Sequence, residues 1–231
     1  MSDVGSTPQS SADLVSKLSH EVRGPVSTLR GLVGTTLAHY DRLSDDERRE
    51  FLHLIKHEAD RLERTVEQVA LALRLDAGSV RFDIRRQDLG AIVREAAQAA
   101  EVGDHPLEVD ATDPIEAPID GRLLSAVVRQ AIDNAVTFSP PDSPITIGLR
   151  RDGDDALIEV TDRGPGVPPD KREAVFERFA DWRPSEYEDR PGAGLGLFIT
   201  RAVARAHGGE ASIADGPAGG TMLVVRLPVE G

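Results

Sequence analysis

The sequence contains no cysteine and few aromatics: one tryptophan, two tyrosines and six phenylalanines in 231 residues. Without cysteine there can be no disulfide, thiolate metal site or cysteine nucleophile, which fits a reducing cytoplasm. Long apolar runs are also absent. Nothing approaches the roughly 18 apolar residues that span a bilayer, and the opening MSDVGSTPQSSAD has neither the basic nor the apolar region of an export signal. A soluble, cytoplasmic chain is expected, with a membrane involved only if this is a fragment of a longer receptor. Basic residues are outnumbered, 27 Lys and Arg against 40 Asp and Glu, giving a formal charge of -13. Nucleic acid is therefore not expected as a partner, because phosphate-backbone binding needs a basic surface. Any nucleotide must be bound by a local site.

What is present begins with a small, polar stretch, residues 1–11, expected to be a disordered tail. From 12 to 76 the periodicity is helical. Leu18, Val22, Pro25, Leu29, Leu32 and Thr36 step by four and three, and Phe51, Ile55, Leu62, Val66, Val69 and Leu73 form a second stripe. Between them Ser44 stands three residues before Glu47, the spacing of a capping box that opens a second helix. One antiparallel hairpin cannot cover both seams, whereas two make a four-helix bundle, so a homodimer is expected.

After Asp76-Ala77-Gly78-Ser79 the period changes to mixed strands and helices, and a second domain is placed at 80–231. Strands are predicted over 80–86, 107–111, 115–119, 145–150, 156–161, 211–214 and 221–227. Helices are predicted over 89–100, 123–138 and 193–206. The overall class is α+β.

Within the first helix, Ser-His-Glu-Val-Arg-Gly-Pro puts His20 beside Glu21, about 200° around from the Leu18 seam and so toward water, with Pro25 expected to break or kink the helix. A neutral imidazole, with an ordinary pKa of about 6.5, has a lone pair to attack an electrophile, and Glu21 is placed to orient the other ring nitrogen. Simple solvent exposure is the alternative. In the second domain Asp162-Arg163-Gly164-Pro165-Gly166 follows a strand, and its carboxylate is suited to an adenine amino group. Gly192-Ala193-Gly194-Leu195-Gly196-Leu197 leads into a helix whose N-H groups can hold phosphate. Asn134 offers a hard oxygen suited to Mg²⁺, and Phe176 and Phe179 flank a glycine-rich stretch that reads as a lid. Taken singly, each has a structural alternative: a helix-end cap, a turn, core. Their order and spacing together do not.

These segments resemble the catalytic core of two-component histidine protein kinases from about residue 12 to 229. LVSKLSHEVRGPVS resembles the H box, QAIDNAVTFSP the N box, DRGPG the G1 box, FERF the F box and GAGLGL the G2 box. The resemblance implies a dimerising helical hairpin (12–76) followed by the α/β sandwich of the gyrase-type ATPases (80–231). It implies phosphorylation of His20 by ATP with Glu21 as polarising base, Mg²⁺ on Asn134 and adenine on Asp162. Gly164, Gly166, Gly192, Gly194, Leu195 and Gly196 then shape the pocket, with Arg178 and Phe179 beside it. Onward transfer to an aspartate of a response-regulator receiver domain is implied too. An ATP-binding regulatory module, or a phosphotransfer scaffold without autokinase activity, is the competing reading. Three positions depart from the pattern. Gly24 replaces the threonine or asparagine that serves phosphatase activity, so the resemblance does not extend to that activity. Gln130 replaces the first N-box asparagine. Thr137 replaces a basic residue, leaving Arg178, Arg183 or Arg190 for phosphate. His53 and His57, four apart, have the spacing but no third ligand for a metal.

Overall fold

The computed structural model describes the backbone of residues 11–180, 182–188, 190 and 192–230, and side chains from Val22 onward within that span. Residues 1–10 of the expected tail lie outside the described residues, and Ser11 already opens the first helix. Two compact units divide between Ala70 and Leu71.

The first unit is built on α1, Ser11–His39, and α2, Asp45–Asp76. Glu47 begins inside the first turn of α2, and the capping box forms as the spacing predicts. The Ser44 N-H donates to Glu47 Oε2 at 2.7 Å, and the Glu47 N-H donates to Ser44 Oγ at 3.3 Å. The Ser44 N-H, together with the Ser44 hydroxyl donating to the same Oε2 at 2.8 Å, holds the Glu47 carboxyl below its ordinary range. Arg48 adds a clasp, donating to the Tyr40 carbonyl at 3.1 and 2.8 Å and lying over its ring.

Along α1, Val22, Pro25, Leu29, Leu32 and Thr36 are the least exposed described positions, so the predicted seam is real. The predicted break at Pro25 is not: the helix runs on to His39. Pro25 is buried, and a packed ring offsets the one backbone bond it forfeits. On α2 the seam is Phe51, Ile55, Glu58, Leu62, Thr65, Val69 and Ala72, whereas Val66 and Leu73, expected within it, are 51% and 43% exposed. Glu58 is buried there with its carboxylate on Arg61 at 3.1 Å. No helix among the described residues is long and apolar enough to cross a membrane.

The second unit is a mixed sheet under helices. Strands β2 (Leu107–Asp110), β4 (Ile145–Asp152), β5 (Asp155–Thr161), β7 (Thr221–Pro228) and β6 (Glu210–Asp215) lie in that spatial order, with only β2–β4 parallel. A separate ribbon pairs β1 (Arg85–Asp88) with β3 (Glu116–Ile119). Helices α3 (Leu89–Gln98), α4 (Gly121–Phe138) and α5 (Gly196–Ala206) pack on the sheet. Strand alternation explains why one face is covered: Ile145, Ile147 and Leu149 are buried while Thr146 and Arg150 are exposed. Burying each such aliphatic side chain contributes about 1.5–3 kcal/mol.

Two boundaries differ from expectation by more than two residues. The strand predicted over 80–86 starts only at Arg85. Phe82 instead packs edge-on against His207 at 5.6 Å, and the Asp83 N-H donates to Asp120 Oδ2 at 3.1 Å. His207, expected as a helix-end residue, is one. It is buried, with Nδ1 donating to the Val203 carbonyl at 2.7 Å and Nε2 accepting from the Asp120 N-H at 2.9 Å, which ties the end of α5 to the start of α4. The helix predicted over 193–206 begins at Gly196, because Gly194 sits at a left-handed φ of 64° that no helix continues.

Ser44→Ala removes both the acceptor for the Glu47 N-H and the hydroxyl partner of its carboxylate. Helical unfolding followed by circular dichroism is expected to show a loss of about 1 kcal/mol, with Ser44→Thr close to the parent.

Candidate functional site

Asp162 follows the last residue of β5, and its own N-H still donates to the Thr221 carbonyl at 2.9 Å, so the ladder fixes its backbone. Its side chain turns inward and is only 8% exposed. Oδ1 accepts from the Gly164 N-H at 2.8 Å and from the Thr221 N-H at 3.0 Å. Burial pushes the carboxyl up from its ordinary value, against these backbone bonds and a bond from the Thr221 side chain that pull it down. A carboxylate short of water and held on one edge is a strong acceptor for a donor presented to the other.

Gly164 must be glycine. A Cβ there would fall 2.5 Å from the Phe138 carbonyl oxygen, so the turn after Asp162 lies directly on the end of α4. That helix carries Asn134, half-buried, one turn before Phe138, with Asn134 Oδ1 accepting from Gln130 Nε2 at 3.1 Å. On the far side, a Cβ on Gly194 would meet the Ala180 carbonyl oxygen at 2.3 Å, which binds the G-A-G-L-G-L stretch to the peptide after Phe179. Phe179 is buried and takes a φ of 56°, a conformation rare for an aromatic residue and typical of over-determined functional segments. Leu195 is buried and anchors the entry to α5, whose first turn has no side-chain cap. Its N-H groups face an anion or solvent by default.

The structure therefore gathers Asp162, Gly164, Asn134, Gly194, Leu195 and Gly196 around the α4 end, the β5 end and the α5 start. Gly166, at a φ of 80°, closes the same turn. Gly192 is exposed at the other end of the G2 stretch. Among the arginines, Arg178 is held by Asp76 at 2.5 Å. Arg190 lies over the Tyr187 ring at 5.9 Å, and Tyr187 packs edge-on against Phe138 at 5.7 Å. Phe176 is buried beneath the Arg201 guanidinium at 3.8 Å. Sequence reading missed Thr221, which a Gly219-Gly220 turn places beside Asp162; that glycine pair between two predicted strands was the available signal. His20 and Glu21 lie on the α1 backbone, and their side chains fall outside the described residues. His53 and His57 are exposed, and no group of three His, Cys, Asp or Glu suited to a metal occurs among the described residues.

Residues 10–78 match the family described as His Kinase A (phospho-acceptor) domain, and residues 119–231 match histidine kinase-, DNA gyrase B-, and HSP90-like ATPase. A solved structure of the mycobacterial sensor histidine kinase MprB is 32% identical over 63% of this chain and 97% of that one, with a TM-score of 0.55. The chain belongs to the sensor histidine kinases of two-component signalling. The ATP binding domain of PrrB from Mycobacterium tuberculosis is 28% identical over the same 63% and over 97% of that chain, with a TM-score of 0.52. The probable sensor histidine kinase TcrY of Mycobacterium tuberculosis is 32% identical over 94% of this chain, which spans 46% of its length. The histidine kinase fold expected from the boxes, a helical phospho-acceptor region followed by an α/β ATPase domain, is thus the one observed.

Asp162→Asn keeps an oxygen for both backbone donors and removes a buried charge. Because the native carboxyl binds its proton more tightly than the unfolded one, its contribution is fully present below the unfolded pKa and lost as pH rises through the folded pKa. Asp162→Asn is accordingly expected to melt at or above the parent temperature at pH 7, the difference fading below about pH 4; calorimetry across pH checks it.

Proposed function

We propose that this chain phosphorylates itself on His20 with ATP and passes the phosphoryl group to an aspartate of a response-regulator receiver domain. The observation that carries the reading is the buried, backbone-pinned Asp162 in a glycine-shaped turn packed on the end of α4, the helix that carries Asn134 and packs against the uncapped start of α5 through Gln130. Asp162 would accept from the adenine amino group. The N-H groups at Gly196 and beyond would take phosphate oxygens, and Phe179, with the Gly192 to Gly196 stretch, would form the lid. Arg178 or a neighbouring arginine would add charge; reaching phosphate requires Arg178 to exchange its Asp76 partner.

Mg²⁺ fits the donor set in part. The Asn134 carboxamide is a hard oxygen ligand, and such an ion is completed by nucleotide phosphates and water rather than by a protein cage. When bound, Mg²⁺ would neutralise charge on the triphosphate. The division of labour follows residues 12–76 as dimerisation and phosphotransfer hairpin and 80–231 as catalytic domain.

In the reaction an imidazole nitrogen of His20 attacks the γ-phosphorus in line, the bond to the bridging oxygen breaks and ADP departs. Glu21, next in the chain, would orient the ring and take up the charge that develops as the P-N bond forms. Homodimerisation would use the hairpin. Val26, Val33 and Tyr40 on α1 are spaced by seven and exposed, as are Leu52, Val66 and Leu73 at multiples of seven on α2. The P-N bond is labile, which suits onward transfer to a carboxylate.

With γ-labelled ATP and Mg²⁺, the parent chain is expected to take up acid-labile, alkali-stable label, His20→Ala none, and Asn134→Ala at least about tenfold less. Undiminished label in His20→Ala would reject the assignment.

A further inference from the structure

Gln130 stands where the family pattern has asparagine, and the structure gives it two neighbours that bear on the site. It lies one turn before Asn134 on α4, and its Nε2 donates to Asn134 Oδ1 at 3.1 Å. Its carboxamide also packs against the first residue of α5: a Cβ on Gly196 would fall 2.5 Å from Gln130 Cδ and 2.6 Å from Nε2. One side chain therefore spans the gap between the helix carrying the proposed metal ligand and the helix end proposed to hold phosphate.

An asparagine carboxamide rotates between two broad orientations that exchange its oxygen and its NH₂. Only the oxygen binds a cation, and an NH₂ turned the same way would repel one. A donor fixed on Oδ1 selects the orientation in which the oxygen keeps its second lone pair available, as outer partners do for metal ligands generally. Gly196 supplies the other half of the constraint. Its missing side chain makes the slot in which the Gln130 amide is held, so the donor cannot swing away without losing its packing.

We propose that Gln130 is a positioning residue: it orients Asn134 for Mg²⁺ and fixes that ligand relative to the start of α5. The proposal rests on the reading of Asn134 given above. It treats the departure from asparagine as functional, since the longer side chain reaches both Asn134 one turn on and Gly196 on the next helix. No part for Gln130 in proton transfer is involved.

The test is a Mg²⁺ titration of ATP binding to the full chain, read by calorimetry, with ATP binding in excess chelator measured alongside. Gln130→Met keeps the length and fills the slot over Gly196 but cannot donate. It is expected to raise the Mg²⁺ concentration at half-saturation about tenfold or more while leaving chelator-condition affinity within about twofold. Asn134→Ala should raise the Mg²⁺ requirement likewise, and adding Gln130→Met to it should change nothing further, since the two act as one unit. A purely structural Gln130 would instead lower affinity with and without Mg²⁺ alike, and that result would overturn the proposal. So would a Gln130→Met titration matching the parent while Asn134→Ala is shifted. If Asn134→Ala itself matches the parent, the assignment of Asn134 fails and the role of Gln130 falls with it.

Discussion

A carboxylate taken out of water is costly unless donors surround it, and the catalytic domain is arranged around one such group. Asp162 continues β5 by a single residue, receives two backbone N-H groups on Oδ1 and is still pushed toward its protonated form by burial. The donors already on it offset part of the cost of keeping it charged, and the amino group proposed above would offset more. Both bonds demand that the Gly164 turn and the start of β7 keep their places. The surrounding close approaches have the same effect. Gly164 against the end of α4 and Gly194 against the peptide after Phe179 leave no room for a side chain, so each of these two pairs of segments is fixed by backbone contact.

The family assignment and the local chemistry agree from independent directions. The family matches cover 10–78 and 119–231, while the hydrogen bonds place an acceptor, a hard oxygen ligand and a row of uncapped N-H groups within the second span. The phospho-acceptor region depends on different physics. Its stability comes from a heptad seam and a capping box, and Val26, Val33 and Tyr40 stay exposed as an outward stripe.

What could be read in advance was what short-range rules govern. The Asp162 turn and the glycine runs were legible because a turn or a helix start needs those residue types locally, whereas Asn134, inside α4, was singled out by its place in the N box. The α1 seam and the Ser44–Glu47 box were legible because both depend on spacing within one or two turns. Thr221 was not, since it reaches Asp162 through strand pairing across 59 residues, and pairing register leaves no mark in spacing. The strand expected from Val80 failed because Phe82 is spent on His207 instead of a ladder. The α2 stripe drifted because Thr65 and Ala72 take the seam positions that a hydrophobicity pattern assigns to Val66 and Leu73, and Glu58 fills the gap between Ile55 and Leu62. Arg178 could not be placed by sequence at all, because its partner Asp76 lies 102 residues away.

The central claim is that Asp162 reads the adenine amino group, and it is tested most directly by equilibrium titration of the parent and Asp162→Asn with ATP and with inosine triphosphate, which has a carbonyl in place of that amino group. Hydrogen bonds to charged groups contribute about 1.5–3 kcal/mol, so the parent is expected to prefer ATP by about tenfold or more, and Asp162→Asn to lose that preference. Equal affinity of the parent for both nucleotides, or an undiminished preference in Asp162→Asn, would contradict it.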